Sequence, residues 1–378
     1  MNNLNTTLTL FFTGGVSLKT WEEVGNLDRE IELYKRLSNN LKKVNIVTYG
    51  GSQDRLYSNR LGAIKLLPLI WYKRRKLTIF HLMMKHYSEI RNTDILKTNQ
   101  ILGSDIPIWF KEKFGKKLIV RCGYLYSYVV KKRTKNEEKI NNAVQIEKKA
   151  FSSADIGIVS SPWQRDIVIT QYNIEPSKIK VIPNYVVSDV FKPDSEIQKK
   201  YDLIFVGRDD KQKNLDNLLK AIQYIKTKKN NMSLLMVGDF FRDNDSNVKD
   251  IVERYNLDVT FKNNIPNFDL PNTLNQAKVF ILPSYYEGHP KVLLEAMSCG
   301  MPCIGTKVRG IEDIEHMKTG YLCDTNYESI ANAIETVSSN ESLQMTIGKN
   351  AREFILKKYA LDRILEMELD VIRELIAR

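Results

Sequence analysis

The chain has 378 residues, 43% hydrophobic and 27% charged, and a formal net charge of +12 at pH 7. That length exceeds one ordinary core and suits two domains of roughly 150 to 200 residues, and no apolar run approaches the roughly 18 residues of a membrane span. The four cysteines, Cys122, Cys299, Cys303 and Cys323, show neither zinc spacing nor a disulfide framework, so a reducing cytoplasm is the expected compartment.

Leu8 to Phe12 is apolar with no basic segment before it, and reads as a first strand rather than a signal peptide. Thr13-Gly14-Gly15 follows as a turn. Trp21 to Glu30, WEEVGNLDRE, is expected to run as a loop into a helix over Leu27 to Asn39. Val44 to Tyr49 reads as the next strand, and the apolar Leu66 to Tyr72, broken by Pro68, leads into Lys73-Arg74-Arg75-Lys76. Asn99-Gln100 and Arg121-Cys122-Gly123-Tyr124 end further strands, the second spanning Lys117 to Arg121. After a helix over Lys139 to Ser152 come strands at Ile156 to Ser160 and Ile179 to Pro183. This alternation is doubly wound α/β.

Charge is uneven along the chain. Residues 1–190 carry 31 Lys/Arg against 17 Asp/Glu, whereas the remainder carries 26 against 28. The excess gathers at Lys73 to Lys76, Lys111 to Lys117 and Lys131 to Lys135. Such clusters attract anionic surfaces, although a solvated face without a partner accounts for them as well. No nucleic-acid-binding motif accompanies them, so peripheral contact with an anionic membrane is favoured over nucleic acid, and Trp71 and Tyr72 suit an interfacial anchor.

A second α/β unit begins after Phe191-Lys192-Pro193. It reads as strand Asp202 to Gly207, helix Leu215 to Lys226, strand Ser233 to Gly238, helix Val248 to Tyr255, strand Val259 to Phe261 and helix Leu270 to Gln276. Strand Val279 to Leu282 and helix Lys291 to Ser298 follow, and Ala351 to Arg378 is a long amphipathic helical pattern. The expected division is a first domain over 1–190, a second over 191–355, and a C-terminal helix over 356–378.

Two loops of the second unit carry chemistry. In an open α/β sheet, strand-to-helix loops sit at the carboxyl ends of the strands, where ligands bind, and the first N–H groups of the next helix point into the same crevice. Glu287, Gly288, His289 and Pro290 are therefore expected to face a ligand, with Glu295 about one and a half turns into the helix. A carboxylate there accepts hydrogen bonds from neighbouring hydroxyls of a sugar or ribose. On their own, two such glutamates are more often a loop charge and a solvated helix residue. In the other loop, Gly207 to Asn214, Arg208 and Lys213 lie near a helix start that favours anions, with Asn214 as the expected N-cap. A guanidinium fork and an ammonium there would clamp a diphosphate.

The run Pro283-Ser284, Glu287-Gly288-His289-Pro290 and Leu294-Glu295-Ala296-Met297-Ser298-Cys299-Gly300-Met301-Pro302 resembles the signature of family 4 glycosyltransferases, retaining enzymes of the GT-B fold. Gly207-Arg208, Lys213 and Asn214-Leu215 resemble the family's phosphate-binding element. Val181 to Asn184, Val190 to Pro193 and Met236 to Asp239 resemble its interdomain passage and second donor-domain strand. Phe261 to Pro266 resembles its base-gripping loop, with Asn263 where the family often has Gly, and Gly310, Glu312 and Gly320 to Leu322 also fall in order. The specific likeness runs from about residue 150 to 340.

The resemblance implies two doubly wound Rossmann-like domains facing across a cleft, the first for the acceptor and the second for the nucleotide-sugar donor, with the C-terminal helix returning to the first. It implies transfer of a sugar from a UDP- or GDP-linked donor to an acceptor hydroxyl with retention, in synthesis of a cell-surface glycan such as lipopolysaccharide, capsule or glycolipid. Glu287, Arg208 and Lys213 would be catalytic. The donor would be held by Gly14, Gly15, Gly207, Asn264, Ile265, Gly288, His289, Pro290, Lys291, Val292 and Glu295. Trp21, Arg121 and Tyr124 would lie on the acceptor side. Many relatives carry a histidine near the strand end at Arg121; His81, His86, His289 and His316 are all elsewhere, so Arg121 or Tyr124 would stand in for it.

No cofactor and no metal is expected, since no Asp-x-Asp flanks the signature and Asp243-x-Asp245 reads as a polar loop. The protein would be cytoplasmic, and peripheral on the inner face of the membrane. A nucleotide-sugar epimerase of the same fold, or a non-catalytic nucleotide-sugar-binding subunit, is the alternative.

Overall fold

A computed structural model describes residues 3–228, 230–240 and 248–377, so Asp243 and Asp245 lie outside the described residues. Its contacts divide the chain into two units, Met1–Pro183 with Ile364–Arg378, and Asn184–Arg363. Each is a parallel sheet with helical crossovers, as the alternation of apolar runs and amphipathic stretches requires. Two Rossmann-like units of this kind are the GT-B fold.

The first unit holds β1 (Leu4–Phe11), β2 (Leu41–Thr48), β3 (Lys65–Pro68), β4 (Ile95–Thr98), β5 (Lys117–Cys122), β6 (Ile156–Val159) and β7 (Ile179–Val181). The sheet order is β3-β2-β1-β4-β5-β6-β7. Because helices cover both faces, Leu8, Leu10, Val44, Ile46, Leu118, Val120, Ile156 and Ile158 are all fully buried. Strand order reverses between β1 and β4, so the turns after those two strands form the switch point. There the Gly14 N–H donates to the Leu102 carbonyl at 3.1 Å. A Cβ on Gly103, whose φ is +93°, would stand 2.7 Å from the Gly14 nitrogen, so close backbone approach requires glycine.

Three expectations change in this unit. The WEEVGNLDRE stretch is not a loop throughout: Leu18–Glu23 is a helix whose N-cap Ser17 forms a capping box with Thr20. Its Trp21 is buried, stacked on Phe12 with ring centroids 3.9 Å apart. Leu66 to Pro68 belongs to edge strand β3, where a proline can end the ladder. Trp71 is no free anchor either, because its indole lies over the glycine turn, 2.7 Å from where a Gly14 Cβ would be.

The second unit holds β8 (Tyr201–Val206), β9 (Leu234–Val237), β10 (Val259–Lys262), β11 (Ala277–Leu282), β12 (Cys303–Thr306) and β13 (Tyr321–Cys323), in the order β10-β9-β8-β11-β12-β13. Helix Leu215–Thr227 buries Leu215, Leu218, Leu219, Ile222 and Ile225 on one face. Helix Lys291–Ser298 is enclosed from Leu293 to Ser298. The order reverses between β8 and β11, which brings the loops after those strands, residues 207–214 and 283–290, to one switch point.

The C-terminal pattern is two helices, Glu341–Lys358 and Leu361–Ala377. The break follows from backbone pairing: the Val186 N–H donates to the Tyr359 carbonyl at 2.9 Å, and the Leu361 N–H donates to the Val186 carbonyl at 3.0 Å. In the first unit, Glu368 of the last helix is fully buried and accepts from Lys97 Nζ at 2.6 Å and from Arg121 at 3.4 Å.

Candidate functional site

The β8 and β11 loops meet through Glu287. Its Oε1 accepts from Lys213 Nζ at 2.7 Å and from Ser284 Oγ at 2.6 Å, while its Oε2 accepts from Gln212 Nε2 at 3.3 Å. The carboxylate is 6% exposed. A buried carboxylate with an ammonium and a hydroxyl on one oxygen is held in a single direction. Backbone bonds tie the same loops together: the Tyr285 N–H donates to the Gln212 carbonyl at 2.8 Å, and the Glu287 N–H to the Arg309 carbonyl at 3.0 Å. Gly310, at φ +91°, passes so close that a Cβ there would lie 2.2 Å from the Glu287 carbonyl oxygen.

Asn214 occupies the position before helix Leu215–Thr227 in the left-handed conformation, and it makes no side-chain cap. Its Nδ2 instead donates to the carbonyls of Pro283 at 2.9 Å and Thr325 at 2.8 Å, locking the β8 loop to the β11 loop. Gly207 donates its N–H to the Val237 carbonyl at 2.9 Å, and the space beside its Cα is bounded by Lys213 Cε. Arg208 is exposed at the rim of the same loop.

Glu295 projects from the enclosed face of its helix and is 1% exposed. Its Oε1 accepts from Asn267 Nδ2 at 2.9 Å. Asn267 opens the short turn Asn267–Asp269 directly after the β10 loop, so this bond fixes the loop carrying exposed Asn264 and half-buried Ile265 against the signature helix. Burial first, then the charge of Glu295, pushes the Cys299 thiol up to about 12, so it stays protonated and is no nucleophile at neutral pH.

His289 departs from its expected role. Its Nδ1 accepts from the Asn184 N–H at 3.1 Å, its Nε2 stands 3.0 Å from Asp313 Oδ2, and its carbonyl accepts from Asn184 Nδ2 at 2.7 Å. With Nδ1 accepting, Nε2 carries the proton that Asp313 receives. Tyr359 donates to the other Asp313 oxygen at 2.5 Å. Burial alone would raise the Asp313 carboxyl, but the hydrogen bonds from His289 and Tyr359 hold it below its ordinary value. The His289 side chain is thus committed to the protein, while Gly288, Lys291 and Val292 are half-buried on either side of Pro290 at the N-cap.

In the first unit, Gly14 has its N–H bonded to Leu102 and its open side covered by Trp71, so it does not offer that N–H to a diphosphate. Gly15 completes the turn at φ +78°. Arg121 is drawn into the buried group with Glu368, and Trp21 into the core, leaving Tyr124 as the exposed member of the three acceptor-side residues. Among the described residues, no group of three or more His, Cys, Asp or Glu is arranged to hold a metal ion. Asn267, Asp313 and Tyr359 carry no signal of their own in the sequence, and Asn184 only closes the Val181 to Asn184 run, because the partners of all four lie in distant segments.

Comparisons with known proteins agree with this fold. The family model described as "Glycosyl transferases group 1" matches residues 187–354. The chain is similar to a UDP-Gal:alpha-D-GlcNAc-diphosphoundecaprenol alpha-1,3-galactosyltransferase of Escherichia coli, 29% identical over 233 residues, which is 55% of this chain. It spans 58% of that relative's length. Among solved structures it resembles sucrose-phosphate synthase of Thermosynechococcus elongatus, with TM-score 0.80 at 22% identity over 99% of this chain and 100% of the other. It also resembles Anabaena Alr3699/HepE in complex with UDP-glucose, with TM-score 0.78 at 17% identity over 98% and 100%.

Proposed function

We propose that the protein is a retaining glycosyltransferase that moves a sugar from a nucleoside-diphosphate sugar to an acceptor hydroxyl, a reading supported by the match of residues 187–354 to the glycosyl transferases group 1 family. The observation that carries the reading is the Lys213–Glu287–Ser284 group at the β8/β11 switch point, with Lys213 Nζ 2.7 Å from Glu287. A carboxylate oriented in this way receives hydrogen bonds from sugar hydroxyls, while the adjacent ammonium and the Arg208 guanidinium stabilise the charge that builds on the departing diphosphate. The first turn of helix Lys291–Ser298 adds backbone N–H groups directed at the same anion. Glu295, through its bond to Asn267, sets the β10 loop where Asn264 and Ile265 meet the base, and its second oxygen serves the ribose.

The leaving phosphate takes the acceptor proton, so Glu287 needs no acid or base role and the protein supplies geometry and charge. Arg208 and Lys213 provide the positive charge that a divalent ion supplies elsewhere, and turnover is expected to survive EDTA. Exposed Tyr124 belongs to the first unit, to which we assign the acceptor, and Gly15 stays with the donor in the turn after β1. The Escherichia coli relative is named for a diphosphoundecaprenol-linked acceptor. A lipid-linked saccharide of a growing cell-surface glycan suits the basic first unit here, with a peripheral position on an anionic membrane.

Incubation with a panel of UDP- and GDP-sugars, with and without EDTA, tests the reading. Release of nucleoside diphosphate and a product of unchanged anomeric configuration is expected. Binding without turnover of any donor would point instead to a non-catalytic nucleotide-sugar-binding subunit, and epimerised donor to an epimerase.

A further inference from the structure

Helix Arg75–Arg91 is apolar on two sides. Thr78, Ile79 and Leu82 face the unit and are buried. About half a turn away, at spacings of three and four, Leu77, Phe80 and Met84 form an outward stripe, 47%, 63% and 71% exposed. Past a non-helical His86, Tyr87 is exposed as well and packs its ring against Phe114 of the next helix. Single exposed apolar residues are ordinary, but three consecutive members of one stripe leave a face without a partner.

Its surroundings choose the occupant. Lys73, Arg74, Arg75 and Lys76 stand exposed at the start of the helix, held in place where Thr78 Oγ1 accepts from the Tyr72 N–H at 3.2 Å. Lys85 is exposed beside Met84. At the other end lies exposed Arg91, whose carbonyl accepts from Lys116 Nζ at 2.7 Å. A large apolar stripe bounded by cations at both ends complements the acyl boundary of a bilayer together with the phosphates of its headgroups. The face also adjoins the first unit's switch point, since the basic run starts two residues after Trp71, which covers the Gly14 turn between β1 and β4.

We propose that the outward face of helix Arg75–Arg91, through Leu77, Phe80 and Met84 with Lys73 to Lys76, docks the protein on an anionic lipid surface. It lies in the headgroup region, apolar side chains inserted and cations at the phosphates, and does not span the bilayer. The purpose of the docking, presenting a lipid-linked acceptor beside the first unit's switch point, rests on the function proposed above; the docking itself does not.

Flotation of the full chain with phosphatidylglycerol vesicles, and separately with phosphatidylcholine vesicles, tests the assignment. Wild type is expected to float with the anionic vesicles alone and to be released by salt. Phe80→Asp with Met84→Asp should weaken binding by at least about tenfold, and Arg75→Gln with Lys76→Gln by about fivefold for each charge removed. All these positions are solvent-facing, so circular dichroism and hydrolysis of nucleotide sugar without vesicles should match wild type. Absence of flotation by wild type, or flotation of the Phe80→Asp/Met84→Asp protein at wild-type affinity, overturns the proposal. So does light scattering that shows wild type as a dimer which this variant splits, because the face would then belong to a second copy. Flotation as predicted by a protein that turns over no donor upholds the docking and removes the function proposed above.

Discussion

Asp313 sits 6% exposed between two donors, and its low-lying carboxyl couples stability to pH. A carboxylate held below its ordinary value of about 3.9 contributes stability that is fully present above that pH and is lost as pH falls through the folded value. Tyr359→Phe removes one of its two donors and should cost about 2 kcal/mol at neutral pH, a difference that shrinks below about pH 4. Urea unfolding of both proteins across that range checks it; a constant difference would mean that Asp313 is not the partner that matters. In the first unit, Glu368→Ala leaves Lys97 and Arg121 as buried cations without their carboxylate and should cost about 4 kcal/mol. Adding Lys97→Met to Glu368→Met should recover part of that loss, since it removes the fully buried ammonium while Arg121 still loses its Glu368 carboxylate. Equal losses in the single and double variants would contradict the account.

Elements differ in how far their sequence announces them. The second unit is legible from β8 to the signature helix because β8, β9 and β11 carry continuous apolar runs, and helix Lys291–Ser298 falls where Pro290 and Gly300 bracket it. Glu287, Arg208 and Lys213 stand out through the resemblance of their two loops to the glycosyltransferase signature, while the strand order that sends those loops to one switch point belongs to the fold. The first unit was harder to read. Ser17 caps a helix with Thr20 rather than with Glu or Gln, so the capping box was hidden, and β3 is a four-residue edge strand ending in proline. Residues that act through distant partners gave no local signal at all: His289 looked like a ligand-facing loop residue until Asn184 and Asp313 enclosed it. Gly310 makes a prediction at this scale. Gly310→Ala would force a side chain into the Glu287 carbonyl at a positive φ, moving the loop that aims the carboxylate. Turnover should fall at least about tenfold, as a misplacement of about 1 Å suffices for more, with little loss of nucleotide binding; unchanged turnover would show that the loop tolerates the shift.

The chain is two Rossmann-like units, and the proposed roles divide between them. The second, close to neutral, holds the Lys213–Glu287 pair and the Glu295–Asn267 bond at the carboxyl ends of its strands. The first carries the positive excess of the chain and, on helix Arg75–Arg91, an apolar face rimmed by cations. Lipid docking and donor chemistry are thus assigned to separate units, and each is open to measurement without the other. In the proposed reaction the Lys213–Glu287 group positions a nucleotide sugar and stabilises its departing diphosphate. The most direct test is the rate of nucleoside diphosphate release from the preferred donor by wild type, Glu287→Ala and Lys213→Ala, with nucleotide affinity measured in parallel. Both variants should lose at least about a hundredfold in turnover while still binding nucleotide; wild-type rates in either would contradict the account.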